Sequence, residues 1–193
     1  MKVGFIGLGN VGSKLAKNLI NNNFSLCVLD LNTSLSSSYL KMGAEWGKNP
    51  KELAISCDVI LTCLPSPQAC SAVMEGSDGV IEGLSEGKIW LEMSTTDFEE
   101  VRRIGELVTS ANGQPMDCPV SGGCHRAATG NISIFAGGER KTFERALPVL
   151  KTLGRQILHT GELGSASILK VATNYLATTN PVSYTHLRAH ETP

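Results

Sequence analysis

Residues 2–12 read Lys-Val-Gly-Phe-Ile-Gly-Leu-Gly-Asn-Val-Gly, a short apolar run that passes directly into three glycines spaced G-x-G-x-x-G. The run suits a strand, and the glycines at its end each have a separate task. Gly7 permits a tight turn, Gly9 lets the backbone approach a pyrophosphate, and Gly12 lets the following helix pack closely on the strand. A helix starting here offers unpaired N–H groups and a partial positive charge to phosphates. The glycines alone also suit an ordinary strand-to-helix turn, and Asp30 separates the two readings. It stands at the end of a second strand-like run, residues 25–30, where a carboxylate can accept both hydroxyls of a ribose and repel a 2′-phosphate. Leu31 and Asn32 follow with no arginine, so NAD is expected in preference to NADP.

Outward from this stretch, short β-rich runs alternate with helical periodicity, the pattern of a parallel sheet covered by crossover helices. Strands are expected at residues 2–6, 25–30, 58–63, 88–92, 115–117, 131–136 and 156–159. Phe98, Val101, Ile104 and Val108 keep helical spacing, with Thr96 or Asp97 as the N-cap. Asn49-Pro50 reads as another helix start. Phe143, Ala146, Leu147, Leu150 and Leu153 form a further apolar stripe ending at Gly154, and Pro148 is expected to kink or divide that helix. The predicted fold class is α/β, a Rossmann-type doubly wound and mostly parallel sheet over residues 1–163.

The balance of 17 basic against 18 acidic residues gives no electrostatic reason to expect nucleic acid or an anionic membrane as partner. No apolar run approaches the roughly 18 residues of a membrane span, and the stretch at residues 3–8 is broken by Gly4 and Gly7 without a cleavage-type flank. A cytoplasmic protein acting on a small molecule is expected. The six cysteines have no C-x-x-C pair and read as small buried hydrophobes, with no metal site and no disulfide.

After Gly164 the chain changes character. Ile168, Leu169, Val171, Ala172, Tyr175 and Leu176 make a helix apolar around most of its circumference, which suits burial between two bodies. Ser167, Lys170, Asn174 and Ala177 form one polar or small stripe on it, expected to face a cavity. From Pro181 the periodicity stops: residues 164–180 read as the start of an interdomain helix, and 181–193 as a tail not native to the protein. His186, Arg188, His190 and Glu191 in that tail offer no stripe to bury.

Four segments in order, Gly7-Leu8-Gly9-Asn10-Val11-Gly12, Ser94-Thr95, Asp117-Cys118-Pro119-Val120-Ser121-Gly122-Gly123 and residues 161–174, resemble the signatures of the β-hydroxyacid dehydrogenases of 3-hydroxyisobutyrate dehydrogenase type. Ala128, Gly130 and Gly137-Gly138 extend the third. The resemblance covers residues 1 to about 180 and implies a Rossmann domain followed by an all-helical domain that this chain lacks. It implies hydride transfer between NAD and a small β-hydroxyacid or its semialdehyde. Gly7 to Gly12 (Gly7, Leu8, Gly9, Asn10, Val11, Gly12) and Asp30 would bind the cofactor, Leu64 and Pro65 would line it, and Thr95 would touch its nicotinamide side. Ser121, Gly122 and Gly123 can offer consecutive N–H groups to a substrate carboxylate. Lys170 would act as acid or base on the substrate oxygen, with Asn174 one turn on helping to hold it. His125 is left outside the site. Two rival readings remain: an NADPH-dependent reductase of glyoxylate, succinic semialdehyde or tartronate semialdehyde, and a non-catalytic nucleotide-binding module. A homo-oligomer is expected at full length, and the isolated chain is expected to bind NAD, to turn over little and to self-associate through the uncovered helix.

Overall fold

The computed structural model describes the backbone of residues 1–191 and the side-chain surroundings of residues 1–180. Its core is a sheet built from β1 (Lys2–Ile6), β2 (Ser25–Leu29), β3 (Glu45–Trp46), β4 (Val59–Thr62), β5 (Ile89–Glu92), β6 (Gln114–Asp117), β7 (Val120–Ser121), β8 (Ile132–Gly137) and β9 (Gly154–Gly161). The strand order is β3-β2-β1-β4-β5-β6-β8-β7, with β9 also paired to β8. Every pairing from β3 across to β6 is parallel. β8 runs antiparallel to β6 and β7, and β9 runs parallel to β8. The chain moves outward from β1 to β3, then returns to place β4 on the other side of β1. That reversal is the switch point at which doubly wound sheets bind ligands.

The central strands read as near-continuous apolar runs because both faces of the sheet are covered. Val59, Leu61, Ile89 and Leu91 join Val3, Phe5 and Leu15 in one buried cluster, while the alternate residues Ile60 and Trp90 join Leu53, Met74 and Ile104 in the other. The helices are α1 (Gly12–Asn21), α2 (Ser36–Lys41), α3 (Pro50–Ser56), α4 (Pro67–Glu75), α5 (Phe98–Ser110), α6 (Gly123–Ala128), α7 (Arg140–Leu153) and α8 (Ser165–Glu191). Asn49 caps α3 by accepting from the Glu52 amide at 2.8 Å, with Pro50 in the first turn. Asp97, not Thr96, caps α5, accepting from the Glu99 amide at 2.8 Å.

Two helix expectations are corrected. α7 is not divided at Pro148: the proline sits on the exposed face, where water can satisfy the carbonyl it leaves unpaired, while buried Ala146, Val149, Leu150 and Leu153 hold the helix to the sheet. α8 is not interrupted at Pro181, and its backbone stays helical to Glu191. The side chains of His186, Arg188, His190 and Glu191 lie outside those described. Ile168, Val171, Tyr175 and Leu176 are each more than half exposed. Among the described residues, no helix is long and apolar enough to cross a membrane.

Candidate functional site

A cleft of about 1010 Å³ opens at the C-terminal ends of β1 and β4. Gly7, Gly9, Asn10, Val11 and Gly12 form its floor, Asp30 stands at one end, and Leu64, Pro65, Ser94 and Thr95 form the opposite wall. The three glycines differ in surroundings. Gly7 has φ +98°, and a Cβ there would strike the Cys63 carbonyl oxygen; a Cβ on Gly12 would strike the carbonyl oxygen of Gly7. A Cβ on Gly9 would meet no protein atom within 4 Å. Two glycines therefore permit the turn and the helix packing, while the third leaves open space beside backbone in the cleft. No side chain caps the start of α1 and no acidic residue lies in its first turn; the Ser13 and Lys14 amides turn back to the Gly9 and Val11 carbonyls, and the positive end of the helix faces the cleft without a competing carboxylate. These residues fit a dinucleotide.

Asp30 is half-buried and already oriented: its Oδ2 accepts from the Leu8 amide at 2.6 Å and its Oδ1 from the Asn32 amide at 2.8 Å. Leu8 does not line the cleft. Its side chain is buried in the core, and its amide serves the Asp30 carboxylate. Lys48, missed from sequence, lies on the rim at the Asp30 end, its ammonium 3.0 Å from Glu52 Oε1.

Beneath the opposite wall lies a second missed group. Glu92, at the end of β5, is buried, and its carboxylate accepts from Thr62 Oγ1 at 2.6 Å, Cys70 Sγ at 2.9 Å and the Ser94 amide at 2.7 Å. Trp90 Nε1 donates in turn to Thr62 Oγ1, and the Leu64 amide donates to Ser94 Oγ, both at 2.8 Å. The loops carrying Leu64-Pro65 and Ser94-Thr95 are thus fastened to one carboxylate. Burial pushes the Glu92 carboxyl above its ordinary range, against the pull of its three donors. The Thr96 hydroxyl beside this loop is buried without a partner.

The residues assigned to the substrate are not part of the cleft wall, which reaches only Val120 on that side. Ser121 is half-exposed; Gly122 and Gly123 are exposed with φ of +130° and +73°, conformations that suit glycine. A Cβ on Gly123 would meet nothing within 4 Å. Lys170 is 7% exposed, and this burial lowers its ammonium below the ordinary lysine value. Ser167 is also buried, whereas Asn174 and Ala177 are exposed. The expected stripe therefore splits: its first turn is covered by the sheet and its second has left the body. His125 is exposed. All six cysteines are free; Cys124 is exposed and Cys63 half-buried on the cleft, against the expectation of six buried thiols. No cluster of metal-binding side chains occurs among the described residues.

The family described as the NAD binding domain of 6-phosphogluconate dehydrogenase matches residues 2–161. A probable mitochondrial 3-hydroxyisobutyrate dehydrogenase of Dictyostelium discoideum is 34% identical over 89% of this chain and 54% of its own length. Glyoxylate/succinic semialdehyde reductase 1 of Arabidopsis thaliana is 32% identical over 91% of this chain and 61% of its own. Among solved structures, a 3-hydroxyisobutyrate dehydrogenase of Mycobacterium tuberculosis with L-serine superimposes with a TM-score of 0.89 at 25% identity, covering 94% of this chain and 62% of that one. The chain thus spans a little over half the length of these three proteins.

Proposed function

This chain belongs to the family of the NAD-binding domain of 6-phosphogluconate dehydrogenase, and on that premise we propose that it is the cofactor-binding part of a dehydrogenase that moves a hydride between NAD and the carbinol carbon of a small β-hydroxyacid or its semialdehyde. The observation that carries the reading is the cleft floor, where Gly9 leaves room for a ligand between the uncapped start of α1 and an oriented Asp30.

A bound nicotinamide dinucleotide supplies the hydride chemistry. The chain's own residues bind and orient. Gly9 and the α1 N-terminus hold the pyrophosphate, Asp30 accepts from the ribose, and Leu64, Pro65 and Thr95 confine the nicotinamide end. The N–H groups at Ser121, Gly122 and Gly123 take the substrate carboxylate. Lys170 Nζ takes the hydroxyl proton when the substrate is oxidised and returns it on reduction, and Asn174 steadies the substrate oxygen. A buried lysine with a lowered pKa supports this role, because more of it is the free amine near neutral pH.

The rival, reduction of glyoxylate or succinic semialdehyde with NADPH, is favoured by the Arabidopsis relative and by Lys48 on the ribose rim. The free cysteines support a reducing compartment, for which we take the cytoplasm. The exposed apolar row on α8 supports burial against a further domain or a second subunit in a homo-oligomer. A panel of β-hydroxyacids and semialdehydes, assayed with NAD and NADP on the chain extended to the length of its relatives, tests the reading. Turnover of a β-hydroxyacid with NAD is the expected result; activity confined to glyoxylate or succinic semialdehyde with NADPH selects the rival, and no turnover with any pair overturns both.

A further inference from the structure

We infer that Asp117 is the positioning residue for Lys170: its buried carboxylate grips the first turn of α8 and so sets where the lysine stands relative to the turn at Ser121, Gly122 and Gly123. The inference rests on the dehydrogenase reading for its meaning, though not for its geometry.

Asp117 is fully buried at the end of β6 and forms no ion pair among the described residues. A carboxylate out of water needs donors. Asp117 finds them all at one helix start: Oδ1 accepts from the Gly164 amide at 2.8 Å, and Oδ2 accepts from the Ser167 amide at 2.7 Å and from Ser167 Oγ at 2.9 Å. These charge-assisted bonds also place a negative group at the positive end of α8. The grip is mutual, since neither the carboxylate nor the helix start has another described partner for these groups.

The pocket around the carboxylate permits little movement. Gly137, the antiparallel partner of Asp117, would clash with Asp117 Oδ1 if it carried a Cβ, which would also lie 2.7 Å from Glu162 O and 2.8 Å from Ser165 Oγ. Ser165 Oγ is itself 2.7 Å from Thr160 Oγ1. Lys170 lies three residues beyond Ser167 and therefore shares its helix face. On the other side, Asp117 leads within four residues to Ser121, along a segment fastened by the Cys118 amide to Glu92 O at 2.6 Å and by the Phe135 amide to Pro119 O at 3.1 Å. One carboxylate thus couples the lysine helix to the strand that feeds the anion-binding turn.

The test is a titration of the Lys170 ammonium by NMR of lysine labelled at Cε in this chain, with amide exchange at Gly164 and Ser167, for the wild type, Asp117→Asn and Ser167→Ala. Loss of a negative charge alone would lower the lysine pKa; release of the helix from its seat exposes the ammonium and raises it. The expected result is an upward move toward the ordinary lysine value in Asp117→Asn, a smaller one in Ser167→Ala, and at least tenfold faster exchange of the Ser167 amide. A Lys170 titration unchanged or lowered in Asp117→Asn overturns the inference. If that variant does not fold, Ser167→Ala decides in the same way, because it removes one donor of three. Calorimetric titration of NAD into the wild type is run alongside: absence of binding counts against the dehydrogenase reading, while the lysine titration still decides the role of Asp117.

Discussion

The Leu8 amide donates to Asp30 Oδ2 at 2.6 Å, so the glycine loop after β1 and the end of β2 act as one hydrogen-bonded unit. The carboxylate that faces a ribose is held in place by the loop that faces the pyrophosphate. The remaining lone pairs of Asp30 are left for the sugar, and its charge opposes a 2′-phosphate.

Asp30→Ala is therefore expected to weaken NAD binding by about 10- to 100-fold, since a hydrogen bond to a charged group contributes about 1.5–3 kcal/mol. NADP binding should change far less, because the repulsion disappears together with the acceptor. Calorimetry with both nucleotides checks this, and the wild type should favour NAD. Equal or tighter NADP binding by the wild type would mean that Lys48 outweighs Asp30 at the rim.

Alanine at two glycines should separate binding from folding. Gly9→Ala adds a methyl group where no protein atom lies within 4 Å, so its melting temperature should match the wild type while NAD affinity falls. Gly12→Ala drives a methyl group into the carbonyl of Gly7, and should lose about 1–3 kcal/mol of stability by overpacking. Thermal melts and NAD titrations of both variants provide the check. A destabilised Gly9→Ala or an undisturbed Gly12→Ala would contradict the assigned roles.

Glu92 gives a pH prediction with a definite sign. Its folded-state pKa is raised above the ordinary 4.5, so the folded state holds the proton more tightly than the unfolded chain. Its contribution favours folding below about pH 4.5 and is lost as pH rises through the raised value. Glu92→Gln should remove that part of the slope, and the variant should fold, with the amide oxygen facing the Ser94 amide and the NH2 facing the Thr62 and Cys70 side chains. Glu92→Ala leaves the Ser94 amide unpaired and should cost about 1–3 kcal/mol. Urea unfolding of the wild type and Glu92→Gln from pH 4 to 8 checks the sign: identical slopes would show that the carboxyl is not perturbed by folding.

Lys170→Ala should leave NAD affinity within about twofold, because Lys170 is not among the residues lining the cleft and a twofold change is under about 0.5 kcal/mol. In the chain extended to the length of its relatives the same change should abolish turnover. For oxidation with NAD, where Lys170 must be the free amine, the wild-type rate should fall as pH drops through the lysine's pKa, and that low-pH limb should lie below the ordinary lysine value, following the direction set by burial. Retention of most activity would remove the lysine from the mechanism.

The glycine loop, Asp30 and the alternation of strands and helices were legible because each is a local pattern of residue types. The bond from Leu8 to Asp30 is not legible in the sequence, since its donor is a backbone amide that any residue there would supply. β3 and β7, two residues each, are too short to show a period. Glu92 looked like the last residue of a strand, and only the approach of Thr62 and Cys70 from neighbouring elements reveals its role. Ser66-Pro67 repeats the Asn49-Pro50 helix start and caps α4 through the Ala69 amide at 3.1 Å, so that signal was present and unread. On α8 the periodicity groups Ser167, Lys170 and Asn174 on one face, yet it carries no information on where along its length the helix leaves the sheet.

The bond between Asp117 and Ser167 also orders events in time, since fifty residues of chain separate its two ends. Closing a loop of that length costs about 3.5 kcal/mol of chain entropy on a simple logarithmic law. On the ribosome, those residues take on the order of 3–10 s to emerge at ordinary elongation rates. During that interval β1, β2, β4 and β5 can assemble from strands close in sequence, while the Asp117 carboxylate has no donors and stays hydrated. The end of β6 therefore closes late, and the lysine helix is seated among the final steps of folding.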